Sequence, residues 1–145
     1  MSVSQLSAFF ADNKIKQENI FYVASDRFVD PKTKEPMKWE IRAIDSEIND
    51  KIQSECMKLI PVPGKRNSYT TEIDTLKYAG LMCVACTVFP NLNDKELQDS
   101  YKVMGAVQLL RKMLSPGEYA EYSAKVLEIN GFNKSRNDLV EEAKN

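Results

Sequence analysis

Histidine is absent from the 145 residues. That removes the side chain whose unperturbed pKa best suits proton transfer near neutrality, and a common metal ligand with it. Ser-His-Asp and Cys-His nucleophile systems are thereby excluded within the chain, while carboxylate or lysine chemistry stays open. No Gly-rich phosphate loop, dinucleotide fingerprint or metal-spaced cluster occurs either. Long apolar runs are missing: the longest, Ala79 to Phe89, falls far short of the roughly 20 residues needed to span a bilayer. The start, Met1-Ser2-Val3-Ser4-Gln5-Leu6, lacks the basic and apolar regions of a signal peptide. Neither charge sign is in excess, with 20 Lys and Arg against 21 Asp and Glu and a net charge of -1. Nucleic acid is therefore not the expected partner, since phosphate binding calls for a basic stripe, and self-association meets little repulsion. The three cysteines, an odd number in mostly apolar surroundings, suit a reducing cytoplasm.

What is present is an ordinary globular composition, 43% hydrophobic and 28% charged. A chain of this length hides about 70% of the surface its unfolded form exposes, so a core needs no metal or disulfide. The pattern predicts an α+β, mainly helical fold: an N-terminal helix, a β-hairpin around residues 20–44, then about five helices packed as one domain. Residues 1–132 form that domain and 133–145 a charged tail.

Leu6, Phe9 and Phe10 fall on one face of a first helix, capped by Ser4. Ile20-Phe21-Tyr22-Val23 is rich in strand formers, and Met37, Trp39, Ile41 and Ala43 alternate with polar residues at the strand period. The turn Asp30 to Pro36 joins them, Trp39 faces the core, and a third strand is expected because a lone hairpin is marginal. Asp45 caps a helix whose stripe is Ile48, Ile52, Cys56 and Leu59. It stops at Ile60 to Ser68, a mobile loop in which Pro and Gly forbid continuation. Asp74 caps a helix that is apolar nearly all round and runs to Val88, with Pro90 ending it. Asn93 and Glu96 resemble a capping box, and Gly105 marks a joint. Ser115-Pro116-Gly117-Glu118 opens a last helix carrying Tyr119, Tyr122, Val126 and Ile129, closed by Asn130-Gly131.

Each candidate for chemistry has a plainer reading. Cys83-Val84-Ala85-Cys86 matches the redox spacing C-x-x-C, but inside an apolar helix the thiols are structural. With Cys56 they still fall short of four zinc ligands. Glu118 and Glu121, and Glu141 with Glu142, read as solvated or capping carboxylates. Lys58, Lys65 and Arg66 form a small basic patch without aromatic interleaving. The residues singled out for partner binding are Leu97, Tyr101, Met104, Val107, Leu110, Met113 and Leu114, with Val103 among them. Met and aromatic side chains line adaptable grooves, although the same stripe also suits a core. No cofactor and no metal is expected, and binding of other proteins rather than catalysis is the expected mode of action.

Several segments in order resemble one family. They are Met37-Lys38-Trp39-Glu40-Ile41-Arg42-Ala43-Ile44, Val88-Phe89-Pro90-Asn91-Leu92, Glu96-Leu97-Gln98-Asp99-Ser100-Tyr101 and Val103-Met104-Gly105-Ala106. Leu109-Leu110-Arg111-Lys112-Met113-Leu114, Pro116-Gly117-Glu118-Tyr119, Ile129-Asn130-Gly131-Phe132 and the tail from Leu139 to Asn145 complete the series. From about Trp39 onward the chain resembles the XkdN-like tail assembly chaperones of bacteriophages and phage-derived elements. The resemblance implies a non-structural factor in the host cytoplasm that binds the tape measure protein, keeps it soluble and is absent from the mature particle. It also implies as partners the tail tube protein and a longer form made by ribosomal frameshifting; a homo-oligomer of the chain is a separate expectation. A contact surface between Leu97 and Leu114 is expected, with Asp at Leu110 or Met113 abolishing binding while sparing the fold. The rival expectation is a structural tail component that self-assembles and stays in the virion.

Overall fold

The computed structural model describes residues 2–132, with side chains from residue 5 onward. The charged tail expected at 133–145 lies outside the described residues. Among the described residues the architecture is α+β: six α-helices with a three-stranded and a two-stranded antiparallel sheet.

The sheet that carries the core is short. β1 (Ile20–Tyr22) pairs antiparallel with β2 (Trp39–Ile41), setting Tyr22 opposite Trp39 and Ile20 opposite Ile41. The expected third strand is Thr87–Phe89, here β5, on the other side of β2. Alternation along β2 turns Trp39 and Ile41 inward, where they are 2% and 0% exposed.

α1 (Ser2–Ser7) stops before the two phenylalanines expected on its face. Leu6, Phe9 and Phe10 are all exposed, and Ser4 lies inside the helix rather than capping it. Six residues are too few to hold a helix without an apolar face packed on something. α2 (Ser46–Glu55) is capped as expected by Asp45, whose carboxylate accepts from the Ile48 amide at 2.9 Å.

The largest departure comes next. Leu59 does not extend the α2 stripe: it lies in β3 (Met57–Pro61), which pairs residue for residue with β4 (Tyr69–Ile73). The segment expected as a mobile loop is the turn closing this hairpin, with Gly64 at φ +79° and Asn67 at φ +58°. Cys56 and Leu59 share a helical face, but Met57, Leu59 and Pro61 fall at the strand period, and Thr70, Thr71 and Ile73 are β-branched, which settles the choice.

α3 (Thr75–Cys86) is the central helix, capped by Asp74 and in contact with α2, α5 and α6. It ends before Val88 because Thr87, Val88 and Phe89 are strand formers and pair with β2. Arg42 closes its end, donating from the backbone to the Cys86 carbonyl at 2.8 Å and from Nε to that of Ala85 at 3.1 Å. α4 (Lys95–Ser100) begins one residue later than expected: Asp94, not Asn93, accepts from the Leu97 amide at 2.8 Å. Asn91 has already drawn the Asn93 amide into a turn at 3.0 Å. Gly105, at φ +131°, starts α5 (Ala106–Met113) in a conformation other residues avoid. α6 (Pro116–Ile129) has the expected capping box of Ser115 and Glu118 and the expected end at Asn130 and Gly131.

The core gathers Trp39 and Ile41 with Met82, Cys83 and Cys86 of α3, Leu109, Leu110 and Met113 of α5, and Tyr122, Val126 and Ile129 of α6. At its centre Tyr122 meets the Trp39 ring edge-on at 5.2 Å. The Thr87 hydroxyl donates to the Cys83 carbonyl at 2.6 Å, so the Tyr122 hydroxyl donates in turn to Thr87, also at 2.6 Å. Burial raises the Tyr122 pKa, chiefly by desolvation, and keeps the phenol a neutral donor.

Candidate partner-binding surface

The residues expected to form one binding stripe are divided by the fold. Leu110, Met113 and Leu114 are 0%, 5% and 4% exposed, so they belong to the core. Asp at Leu110 or Met113 is a packing lesion there, not a test of partner contact. Leu97 and Met113 come together, in an apolar cleft of about 160 Å³ with Phe28, Met37, Trp39, Phe89 and Pro90. Tyr101 is half-buried at the end of α4, and Met104 stands free, 93% exposed, in the connector to α5.

Val107 and Leu114 open onto a different side, where α5 meets α3. Val107, Ala106 and Gln108 face Lys77, Leu81 and Val84 across a cleft of about 380 Å³. Leu114, with Arg111, Pro116 and Tyr119, faces Leu76 across one of about 320 Å³. The two clefts follow one seam, which is tight between them because Gly80 lets the helices approach. A methyl group on Gly80 would sit 2.9 Å from Val107 Cγ1 and 3.5 Å from the Tyr119 hydroxyl.

The seam's electrostatics are one-sided. Lys77 and Arg111 border the clefts, and no carboxylate lines either of them. Arg111 lies over the Tyr119 ring with its guanidinium carbon 5.0 Å from the centroid, a cation–π contact that keeps the cation at the groove wall. Burial raises the Tyr119 pKa, and its hydroxyl lacks a hydrogen-bond partner of ordinary geometry. The groove thus has an apolar floor, a basic border and one spare buried hydroxyl.

Sequence reasoning missed Leu76, Lys77, Leu81 and Val84, because α3 is apolar on nearly every side. One signal was available: Lys77 is the only charged residue in Thr75–Cys86, and Leu81 and Val84 follow it at helical spacing on its side.

The reactive groups are held inert. Cys56, Cys83 and Cys86 are free and buried. Desolvation pushes the Cys83 thiol up to about 11 despite a contact to the Ser123 hydroxyl at 3.5 Å, and burial raises Cys86 as well. No grouping of three or more Cys, Asp or Glu suited to a metal occurs among the described residues. Nor is any helix there long and apolar enough to cross a membrane.

In class, this is an α+β protein whose prominent surface features are apolar clefts rather than converging reactive groups. The chain belongs to the XkdN-like phage tail assembly chaperone family, whose model matches residues 6–144. The family's role is in assembly rather than catalysis. Among its relatives, the uncharacterized protein YqbN of Bacillus subtilis (strain 168) is 35% identical over 144 residues, covering 99% of this chain and 95% of that one. The XkdN protein of the phage-like element PBSX, from the same strain, is 32% identical over 145 residues, covering 99% and 96%. The crystal structure of YqbN superposes with a TM-score of 0.73 at 30% identity, covering 88% of this chain and 96% of that one.

Proposed function

We propose that this chain binds the tape measure protein of its phage tail and keeps it soluble in the bacterial cytoplasm until the tube assembles around it. It is then released and is absent from the finished particle. The observation that carries the mode of binding is the α3–α5 groove, apolar along its floor and bordered by Lys77 and Arg111 without a facing carboxylate. Such a groove takes an amphipathic helix by its apolar stripe and favours one with acidic flanks. Reversible release suits many modest contacts rather than one deep pocket.

The test is co-expression with the tape measure protein, reading the amount recovered soluble. Leu76 is 73% exposed, so Leu76→Asp spares the fold while placing charge on the groove. Combined with Leu81→Asp, it is expected to lower co-purified tape measure protein at least about tenfold, a loss of about 1.4 kcal/mol of binding or more. Unchanged recovery, with both variants melting like the parent chain, removes the groove from the proposal. Tape measure protein that is equally soluble without the chain overturns the function itself. Mass spectrometry of purified particles decides between a released chaperone and a retained tail component.

A further inference from the structure

The β3–β4 hairpin has two unlike faces. Its register sets Met57 opposite Ile73, Leu59 opposite Thr71 and Pro61 opposite Tyr69, and alternation puts these six on one side. That side carries no charge. The other carries the Lys58–Glu72 pair at 3.5 Å. An apolar face on a strand pair normally turns inward, yet here Leu59 is 70%, Tyr69 62%, Met57 46% and Ile73 38% exposed. Nothing else in the described fold packs broadly on the hairpin, whose strands hold chiefly to each other. A two-stranded hairpin standing alone in water is at best marginally stable.

We propose that this face is the contact between two copies of the chain, packed face to face about a two-fold axis. Three observations favour a second copy over another occupant. None of the clefts described above is lined by these six residues, so the face offers no such groove to a partner helix, whereas sheet faces stack on one another. It is uncharged, so meeting its own copy opposes no like charges, and the chain's net charge of -1 adds little repulsion. The six residues expose roughly 500 Å² per copy, so between them a pair can bury no more than about 1,000 Å², the lower bound of a specific interface. A dimer of that size is modest in affinity and depends on concentration. The hairpin and the α3–α5 groove are different surfaces, so pairing does not depend on the tape measure proposal.

Sedimentation of the full chain between about 1 and 200 µM is the test, spanning the micromolar affinities open to an interface of this size. The expected species has twice the 16.5 kDa chain mass and dissociates on dilution. Leu59→Asp is expected to weaken it at least about tenfold, while Thr70→Lys, on the opposite face, leaves it unchanged. Thr71→Cys, near the axis, is expected to form an intermolecular disulfide on mild oxidation, because the native thiols are buried. A parent chain that stays monomeric throughout overturns the proposal, as does a dimer indifferent to Leu59→Asp. Monomeric parent chain in which Leu59→Asp instead reduces tape measure capture reassigns the face to that partner and also overturns it.

Discussion

The two sheets of this molecule differ in a way that hydrogen bonding alone does not reveal. β3 and β4 have five residues each and pair without interruption, while the strands of the β1–β2–β5 sheet have three each, with an irregularity between Glu40 and Ile41. By ladder length the hairpin is the better sheet. By burial it is the worse, since both its faces are largely open, whereas Trp39 and Ile41 are enclosed by three helices. A net backbone hydrogen bond contributes about 1 kcal/mol, while burying one large side chain contributes about 1.5–3 kcal/mol. The shorter sheet is therefore the one the fold depends on.

Substitution in both sheets is the sharpest way to break that comparison. Trp39→Ala is expected to cost about 3–5 kcal/mol in denaturant unfolding, and Leu59→Ala no more than about 0.5 kcal/mol at concentrations where the chain is monomeric. Similar losses at both positions would mean that the hairpin is integrated into the core. A smaller effect is expected at the junction where α6 ends. Asn130 donates to the Val126 carbonyl at 2.8 Å and to Cys86 Sγ at 3.4 Å, and accepts from the Ile44 amide at 2.9 Å. Asn130→Ala orphans the Ile44 amide and is expected to cost about 1–3 kcal/mol in the same measurement.

The smallest effect is one of pH. Glu118 Oε1 accepts from the Ser115 amide at 2.8 Å and from Arg27 at 2.7 Å, with the Ser25 hydroxyl also against it. The Ser115 amide first, then Ser25 and Arg27, lower its pKa from 4.5 to about 2. The lowered value favours the folded state above about pH 4.5, and that contribution disappears as pH falls toward 2. Glu118→Gln is expected to melt below the parent chain at pH 7, with the gap closing by pH 2. A gap independent of pH would assign the effect to lost packing rather than to the carboxylate.

Where local chemistry decides an element, the sequence was legible. Asp45, Asp74 and the Ser115–Glu118 box mark helix starts through amides that must find acceptors, and each does so in the structure. The alternation around Trp39 likewise placed β2 and its inward face. Legibility failed where one residue fits two patterns: Leu59 continues the helical stripe from Cys56 and also alternates with Met57 and Pro61 as a strand does, and an exposed hairpin supplies no buried face to choose between them. It failed differently at the candidate site. Leu110, Met113 and Leu114 share a helix face, but periodicity tells which residues sit together, not what lies over them. The groove residues of α3 were hidden for the converse reason, an apolar helix having no contrast to show its outward side.

The enclosed thiols carry a practical consequence. Cys56, Cys83 and Cys86 are shut away in the folded chain, and burial holds the latter two in the unreactive thiol form. A cysteine introduced anywhere on the outside would therefore take a maleimide dye or spin label alone, with no native cysteine to remove first. The molecule is by construction ready for site-selective labelling, and distances within an assembling tail complex become measurable on otherwise unaltered protein.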